Sequence, residues 1–129
     1  MKKILIVNAN YYDKISRNLV GSSKKILVNN KMKVNIFNVP GVFEIPIAIK
    51  KNIKKFDAFF ALGCVIKGKT PHFDFISQAS TDAIMSLSIT SKKPIGNGII
   101  TCLNMSQAKV RKSKGSEAAE AVLSVLSQK

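Results

Sequence analysis

Hydrophobic and polar residues repeat along the chain with two different periods, one typical of strands and one typical of helices. Short β-rich runs occur four times, at residues 3–7, 32–39, 57–66 and 94–102. Between these runs, apolar residues recur three and four positions apart, which is the spacing of one face of a helix. The third run is almost continuously apolar, as expected for a central parallel strand covered on both faces. The pattern therefore predicts four successive strand–helix units.

Local signals place the ends of the predicted helices. Asp13 is the candidate N-cap of the first helix and Ser116 that of the last, because short polar side chains accept hydrogen bonds from free N–H groups. The second helix is expected to run to about Lys55, with Pro46 in its first turn, where a missing N–H is harmless. A shorter helical piece is predicted at 104–112. The third helix is expected to bury one apolar face, made of Phe75, Ile76, Ala79, Ala83, Ile84 and Leu87.

Alternating strands and helices predict an α/β fold, with a parallel sheet, right-handed crossovers and helices on both faces. The length of 129 residues corresponds to one domain, residues 1–129. In such sheets, ligands bind at the carboxyl ends of the strands. The loops expected to carry function are therefore 8–14, 39–44, 66–74 and 101–106.

The composition is strongly basic, with a formal net charge of +14 that comes from 19 lysines and the two arginines Arg17 and Arg111. A basic chain can bind nucleic acid through its phosphates. However, the lysines occur as doublets dispersed along the sequence, and lysine near a helix end also complements the helix dipole. Since no nucleic-acid-binding motif is present, a solvated surface is the favoured interpretation, and a nucleic-acid-binding module is the least favoured function.

The distribution of apolar residues and cysteines indicates a cytoplasmic protein. No apolar run approaches the ~20 residues that a membrane span needs, and the first residues lack a signal-peptide pattern. Cys64 and Cys102 lie in apolar strand-like runs, so buried free thiols in a reducing compartment are expected. Two cysteines and the single histidine are too few ligands for a metal site.

The loop after the third strand contains His72, the only histidine in the chain. A glycine-containing turn leads there into a helix, whose first N–H groups favour an anion. The sequence Gly68-Lys69-Thr70 carries the end of a P-loop but lacks the first glycine at the required spacing. Imidazole exchanges protons near neutral pH, which favours a functional role for His72 over a structural one. Asp74 is either a helix cap or a group that orients the imidazole.

Three further loops contain residues with both a functional and a structural interpretation. Glu44 begins an otherwise apolar helix, where it either compensates the dipole or accepts hydrogen bonds from ligand hydroxyls. One tyrosine of the Tyr11-Tyr12 pair either stacks on a flat ring or packs the loop. Arg111 has the fork geometry for phosphate or carboxylate, but it also suits a surface ion pair. Together these residues predict a site for a phosphorylated molecule and a hydroxylated, planar partner.

Three segments carry a resemblance to a known family: VPGVFEIP at 39–46, ALGCVIKGKTPHFDF at 61–75 and GNGIITCLNMSQAKVR at 96–111. The chain resembles the 6,7-dimethyl-8-ribityllumazine synthases over nearly its whole length. The resemblance implies a flavodoxin-like three-layer sandwich with a four-stranded parallel sheet of order 2-1-3-4. It also implies condensation of 5-amino-6-(D-ribitylamino)uracil with 3,4-dihydroxy-2-butanone 4-phosphate, a step of riboflavin biosynthesis that uses no metal or organic cofactor.

Family members are homo-oligomers, either pentamers or icosahedral assemblies of pentamers, with the active site between neighbouring subunits. One subunit supplies a ring-stacking aromatic, a segment that holds the ribityl chain, a strand end whose backbone reads the pyrimidine, a phosphate cradle and a proton-transfer histidine. The resemblance implies that Asn97, Gly98 and Ile99 of the neighbouring subunit close over the ring. It also implies that Arg111 of that subunit binds phosphate and that its Lys114 approaches the ribityl chain. The first set corresponds, in the same order, to Tyr11; Gly41, Val42, Phe43 and Glu44; Cys64, Val65 and Ile66; Lys69 and Thr70; and His72.

The chain departs from the family pattern at three places. Lys67 replaces a frequent arginine, and Asn97 replaces a frequent phenylalanine. The segment between Arg111 and Lys114 is several residues shorter than in the family. A non-catalytic flavin- or lumazine-binding homologue on the same scaffold is therefore retained as the alternative to the enzyme.

Overall fold

The computed structural model describes residues 1–68, 71–111 and 113–128, and within them strands alternate with helices. Each predicted strand and each predicted helix is present, and a short 3-10 turn precedes the second helix. In chain order the elements are β1 (Lys3–Ala9), α1 (Asp13–Asn29), β2 (Lys33–Val39), the 3-10 turn (Val42–Glu44), α2 (Ile45–Lys51), β3 (Ala58–Ile66), α3 (His72–Ser91), β4 (Ile95–Cys102), α4 (Met105–Val110) and α5 (Lys114–Leu126).

The four strands form one parallel sheet of order β2-β1-β3-β4, which confirms the predicted fold class. β1 pairs with β2 along its full length, from Lys3 opposite Lys33 onward. It pairs with β3 only as far as Asn8 opposite Leu62, whereas β3 continues alongside β4 to Ile66. The end of β3 therefore projects beyond β1 at the carboxyl edge of the sheet.

Helices cover both faces of this sheet and bury two apolar clusters. One cluster joins the sheet to α1, α4 and α5, and the other joins it to α2, α3 and the 3-10 turn. Successive residues of β3 alternate between them: Phe60 faces the first cluster and Phe59 the second, and both are fully buried. This alternation explains why the strand reads as a continuous apolar run. Among the described residues, no helix has the length and apolar character required to cross a membrane.

Two of the predicted N-caps are wrong by one to three residues. Tyr12 occupies the N-cap position of α1, and Asp13 is instead the first helical residue, with its carboxylate 2.7 Å from Arg17 Nη2. Ser113 occupies the N-cap position of α5, while the Ser116 hydroxyl donates to the Ser113 carbonyl at 2.8 Å. Both helices begin before the residue with the best local capping preference, because tertiary packing also determines where a helix begins.

Two predictions about α2 and α3 need correction as well. α2 ends at Lys51 rather than near Lys55, because the Asn52 side chain donates to the Ala48 carbonyl at 2.8 Å and closes the helix. On α3, the side chain of Phe75 is 68% exposed, and Ala79 is exposed too. The packed stripe consists of Phe73, Ile76, Ser80, Ile84 and Leu87, which step around the helix by three and four residues.

Candidate functional site

A cleft of about 750 Å³ opens at the carboxyl edge of the sheet, where β3 projects beyond β1. It brings together nine of the residues predicted from the sequence. Lys69 and Thr70, which were predicted to cradle phosphate, lie outside the described residues. The cleft is lined by Tyr11, Tyr12, Gly41, Val42, Phe43, Glu44, Cys64, Val65, Ile66, His72 and Ile76.

The tyrosine pair after β1 forms one wall of the cleft. The rings of Tyr11 and Tyr12 meet edge to face, with centroids 4.9 Å apart and an interplanar angle of 82°. Tyr12 packs against the core, and burial, followed by the neighbouring Tyr11 and Cys64, raises its pKa above 10.0. Tyr11 remains 75% exposed. Tyr12 therefore anchors the pair, and Tyr11 presents an aromatic surface on which a planar ligand can stack.

The turn between β2 and α2 forms the opposite wall. In this turn, the backbone N–H of Glu44 donates to the Gly41 carbonyl at 3.2 Å, which closes the 3-10 turn. A Cβ atom on Gly41 would lie 3.2 Å from Glu44 Oε1, so the glycine leaves room for the carboxylate to fold back over the turn. Val42 is buried, whereas Phe43 is 66% exposed. The wall thus presents one carboxylate and one aromatic ring.

Gly63 allows this wall to pack closely on the sheet. A Cβ atom at this position would lie 3.0 Å from both Ala9 Cβ and Val42 Cγ2, which is closer than side chains normally approach. The glycine therefore sets the depth of the cleft, because any side chain would push the turn away from β3.

The floor of the cleft is the projecting end of β3. Past Leu62 this strand is paired with β4 alone, so the other edge of its backbone is turned towards the cleft. Backbone N–H and C=O groups are strong hydrogen-bonding groups that need partners. Residues Cys64, Val65 and Ile66 can therefore offer alternating donors and acceptors to the edge of a heterocycle.

The Cys64 thiol is suited to packing rather than to nucleophilic attack. Both cysteines are free and buried, as predicted. Burial, and then the adjacent Cys102 thiol, raises the pKa of Cys64 from 9.0 to about 12. Because the thiolate is the reactive form of cysteine, Cys64 is a neutral thiol near pH 7.

His72 is the first residue of the 20-residue helix α3. Pro71 occupies the N-cap position, and its carbonyl accepts from the N–H groups of Asp74 and Phe75 at 3.1 and 3.2 Å. The interpretation of Asp74 as the cap is therefore wrong, although its carboxylate lies in the first turn. The amino-terminal end of α3, which carries the positive end of its dipole, lies at the cleft beside an exposed imidazole. This arrangement combines an anion site with a proton carrier.

Asn97, Arg111 and Lys114 do not line this cleft within one chain. Asn97 lies on β4, where its Oδ1 accepts from the Ile99 N–H at 3.0 Å. Arg111 follows α4, is exposed, and donates from Nη1 to the Thr101 carbonyl at 3.2 Å. Arg111 and Lys114 line a separate hollow of about 360 Å³. The predicted site residues thus fall into two groups.

Sequence reasoning did not assign Tyr12 and Ile76 to the site. Ile76 lies one helical turn after His72, so the spacing of four residues was the available signal. Tyr12 was considered only as an alternative to Tyr11, and burial decides between their roles. Across the described ranges, no group of three or more His, Cys, Asp or Glu side chains is arranged to hold a metal ion.

Comparisons with known proteins match the whole chain to one family. The family model described as 6,7-dimethyl-8-ribityllumazine synthase matches residues 1–129. A protein of that name from Methylorubrum populi is 40% identical over 98% of this chain and 82% of its own length. Its namesake from Novosphingobium aromaticivorans is 41% identical over 98% of this chain and 95% of its own. The protein of the same name from Bartonella bacilliformis is 39% identical over 98% of this chain and 89% of its own length.

Proposed function

Because the chain belongs to the 6,7-dimethyl-8-ribityllumazine synthase family, we propose that its cleft condenses 5-amino-6-(D-ribitylamino)uracil with 3,4-dihydroxy-2-butanone 4-phosphate. The products are 6,7-dimethyl-8-ribityllumazine, phosphate and water. The observation that carries this proposal is the convergence of Tyr11, Glu44, His72 and the free edge of β3 on one cleft. These groups match a planar, hydroxylated substrate that must gain and lose protons.

The pyrimidine and its ribityl chain are assigned to the walls and floor of the cleft. Tyr11 stacks on the ring, and the backbone of 64–66 pairs with its polar edge. Glu44 accepts hydrogen bonds from the ribityl hydroxyls beside Phe43. The position of the Glu44 carboxylate supports this assignment. The carboxylate lies close to Gly41, and both residues line the cleft. A carboxylate that accepts hydroxyl hydrogen bonds forms charge-assisted contacts, which are the stronger kind.

The phosphorylated ketone is assigned to the N-terminus of α3. The helix dipole and the first N–H groups favour a dianionic phosphate, and Lys69 and Thr70 precede them in the sequence. Arg111 adds a bidentate contact from the second group of residues. As phosphate leaves, its growing charge is stabilised by the same groups, which lowers the barrier for elimination.

His72 is assigned the proton transfers. The substrate amine attacks the ketone, a first water leaves as the imine forms, and phosphate is then eliminated. The ribitylamino nitrogen attacks the remaining carbonyl, and loss of a second water closes the ring. The amine of the substrate is the nucleophile, and the neutral Cys64 thiol agrees with a mechanism without a covalent enzyme intermediate. Much of the acceleration comes from holding the two reactants together in the cleft, and general acid–base transfer by His72 adds to it.

A homo-oligomer, either a pentamer or an icosahedral assembly of pentamers, is proposed to join the two groups of site residues. Asn97, Arg111 and Lys114 would then complete the cleft of the neighbouring subunit. Support comes from exposed apolar side chains on α3, namely Phe75, Met85 and Ile89. Gln78 and Asp82 lie between them on the same face of the helix, but exposed apolar groups of this kind are typical of surfaces between subunits. We also propose a cytoplasmic location, which agrees with the two free thiols.

A two-substrate assay tests the proposal directly. The purified chain is incubated with both substrates while lumazine absorbance and released phosphate are recorded together. One phosphate per lumazine supports the enzyme. Tight binding of lumazine or a flavin without phosphate release would instead support the non-catalytic homologue. The absence of both binding and turnover would reject the assignment of the cleft.

A further inference from the structure

Lysines that are dispersed in the sequence gather at one edge of the folded chain. The strands all run in the same direction, so their amino ends lie together at the edge opposite the cleft. Twelve of the 19 lysines lie at these strand starts, in the turns before them, or near the ends of the helices that lead to them. We call this set the amino-edge lysines: Lys2, Lys3, Lys24, Lys25, Lys31, Lys33, Lys50, Lys51, Lys54, Lys55, Lys92 and Lys93.

Backbone and side-chain contacts hold several of the strand starts and turns that carry these lysines together. Lys3 lies opposite Lys33 in the β1–β2 ladder. On the other side of the sheet, Lys93 Nζ donates to the Ile53 carbonyl at 2.6 Å, which draws the turn before β4 against the turn that carries Lys54 and Lys55. Four strands spaced at about 4.8 Å make this edge only about 14 Å wide across the sheet. All amino-edge lysines except Lys93 have exposed side chains.

Negative charge is nearly absent from the same edge. Of the seven carboxylates in the sequence, Asp57 alone belongs to it, and its Oδ2 accepts from the Lys3 N–H at 2.8 Å. Four others, Asp13, Glu44, Asp74 and Glu117, lie in the first turns of helices, towards the cleft. The remaining two, Asp82 and Glu120, lie midway along α3 and α5. The basic charge of the chain is therefore concentrated at the end far from the cleft.

Compensation of helix dipoles explains only a small part of this charge. Each helix C-terminus carries roughly half a negative charge. The four helices that end at this edge, α1, α2, α3 and α5, therefore contribute about two negative charges. Twelve lysines against one carboxylate far exceed that requirement. Lys2, Lys3 and Lys33, moreover, belong to strand starts and not to the last turn of a helix. The excess is positive charge that a polyanionic partner can neutralise.

We propose that the amino edge is a binding surface for the phosphodiester backbone of nucleic acids, with no preference for sequence. Lysine is a flexible point charge that neutralises phosphate, whereas base reading relies on the planar fork of arginine, and neither arginine belongs to this edge. Of the four exposed aromatic residues, Tyr11, Phe43 and Phe75 lie at the cleft end of the molecule, and Phe37 lies in the second half of β2. Among the described residues, the amino edge therefore has no exposed aromatic anchor of the kind typical of a membrane-binding surface.

The test uses the full chain and a fluorescein-labelled duplex of 20 base pairs, with binding followed by anisotropy across a series of salt concentrations. The expected affinity lies at about 10⁻⁴ to 10⁻⁶ M near physiological salt, with a log–log slope of about −0.9 per phosphate contacted. The double variant Lys54→Gln/Lys55→Gln should bind at least about tenfold more weakly at 0.1 M salt, with a slope shallower by about 1.8.

The matched control is Lys14→Gln/Lys109→Gln, which removes the same charge from exposed positions at the cleft end of the molecule. Its affinity should stay within about twofold of the parent. Equal weakening in both double variants would show that net charge alone drives binding and would overturn the proposal. A binding constant that does not change with salt would do the same.

Two further measurements test whether the surface prefers nucleic acid over a membrane and whether it acts independently of the cleft. Vesicles of phosphatidylglycerol and phosphatidylcholine, at equal phosphate concentration, should bind more weakly than the duplex, and tighter binding would overturn the choice of nucleic acid. Lumazine formation by Lys54→Gln/Lys55→Gln should equal that of the parent, because the edge lies opposite the cleft. Loss of duplex binding with retained turnover therefore reports on the amino edge alone.

Discussion

Gly115, in the first turn of α5, packs directly against the backbone carbonyl of Leu19 in α1. A Cβ atom at position 115 would overlap this carbonyl and the Ser22 hydroxyl. The two helices form much of one face of the molecule and bury Leu19 and Val122 against the sheet. Their close approach also holds the start of α5, and with it Lys114, against the rest of the fold.

Gly115→Ala is therefore expected to destabilise the protein by about 1–3 kcal/mol, because overpacking against backbone forces the helices apart. The urea midpoint of unfolding measures this change. Gly21→Ala is the matched control in the exposed part of α1, where a Cβ atom meets nothing within 4 Å. That substitution should stabilise the protein by about 0.5–1 kcal/mol. Equal effects at the two positions would contradict the packing assigned to Gly115.

His72→Ala should lower kcat by about 10²-fold, the lower end of the range for general acid–base catalysis. Positioning of both substrates survives in this variant, so turnover should be slow rather than absent, with KM values near those of the parent. Steady-state assays with each substrate varied in turn measure both constants. A variant with an unchanged kcat would remove His72 from the proton transfers.

Glu44→Gln should raise the KM for the ribitylaminouracil by about tenfold, since a hydrogen bond to a charged group is worth about 1.5–3 kcal/mol. The KM for the butanone phosphate should not change, because the proposal assigns the carboxylate to the ribityl chain of the other substrate. Direct titration of the uracil substrate in the absence of the ketone provides a second measurement. If the KM for the phosphate substrate rises instead, Glu44 has been placed at the wrong end of the cleft.

Arg111→Ala should mainly weaken use of the butanone phosphate, with an expected rise in its KM of about tenfold for the loss of a charge-assisted contact. Lys109→Ala removes a positive charge from the last turn of the same short helix and is the control. The control should leave this KM unchanged. A similar rise in both variants would indicate a general electrostatic effect rather than a phosphate ligand.

Cys64→Ala tests the buried thiol through the pH dependence of stability. The pKa of this thiol is about 12 in the folded chain and 9.0 when unperturbed, so the folded state holds the proton more tightly. The stabilisation that follows from this raised pKa is fully present below pH 9, and it is lost as the pH rises towards 12. The difference in this free energy between parent and variant should therefore shrink from pH 9 to pH 11. Urea titrations at both pH values measure it, and a constant difference would contradict the raised pKa.

The positions of the site loops were predictable because parallel strands end at a common edge. Tyr11, Glu44 and His72 follow three different strands, and the alternating pattern alone placed all three at that edge. Their separate roles were less accessible. Tyr11 and Tyr12 are identical in type and adjacent in sequence, and only burial distinguishes the ring that anchors the loop from the ring that faces the cleft.

The wrong predictions concern features that depend on packing between elements. Local preference favoured Asp13 and Ser116 as caps, but each helix begins earlier because its first turn contacts the rest of the fold. Likewise, Phe75 and Ile76 are both apolar, but the packing of α3 against the sheet partly buries Ile76 and leaves Phe75 exposed. Capping and amphipathic patterns are local signals, and the crossing angle of a helix is not a local property.

The order of apolar and polar residues was sufficient to determine the element types, the parallel α/β class and the strand ends at which a ligand binds, because these follow from periods of two and 3.6 residues. Tertiary structure alone decided that β3 projects past β1 and that Gly63 lets Val42 close on the sheet. Each of these depends on distances between residues far apart in the chain, and hydrophobic periodicity contains no information about such distances.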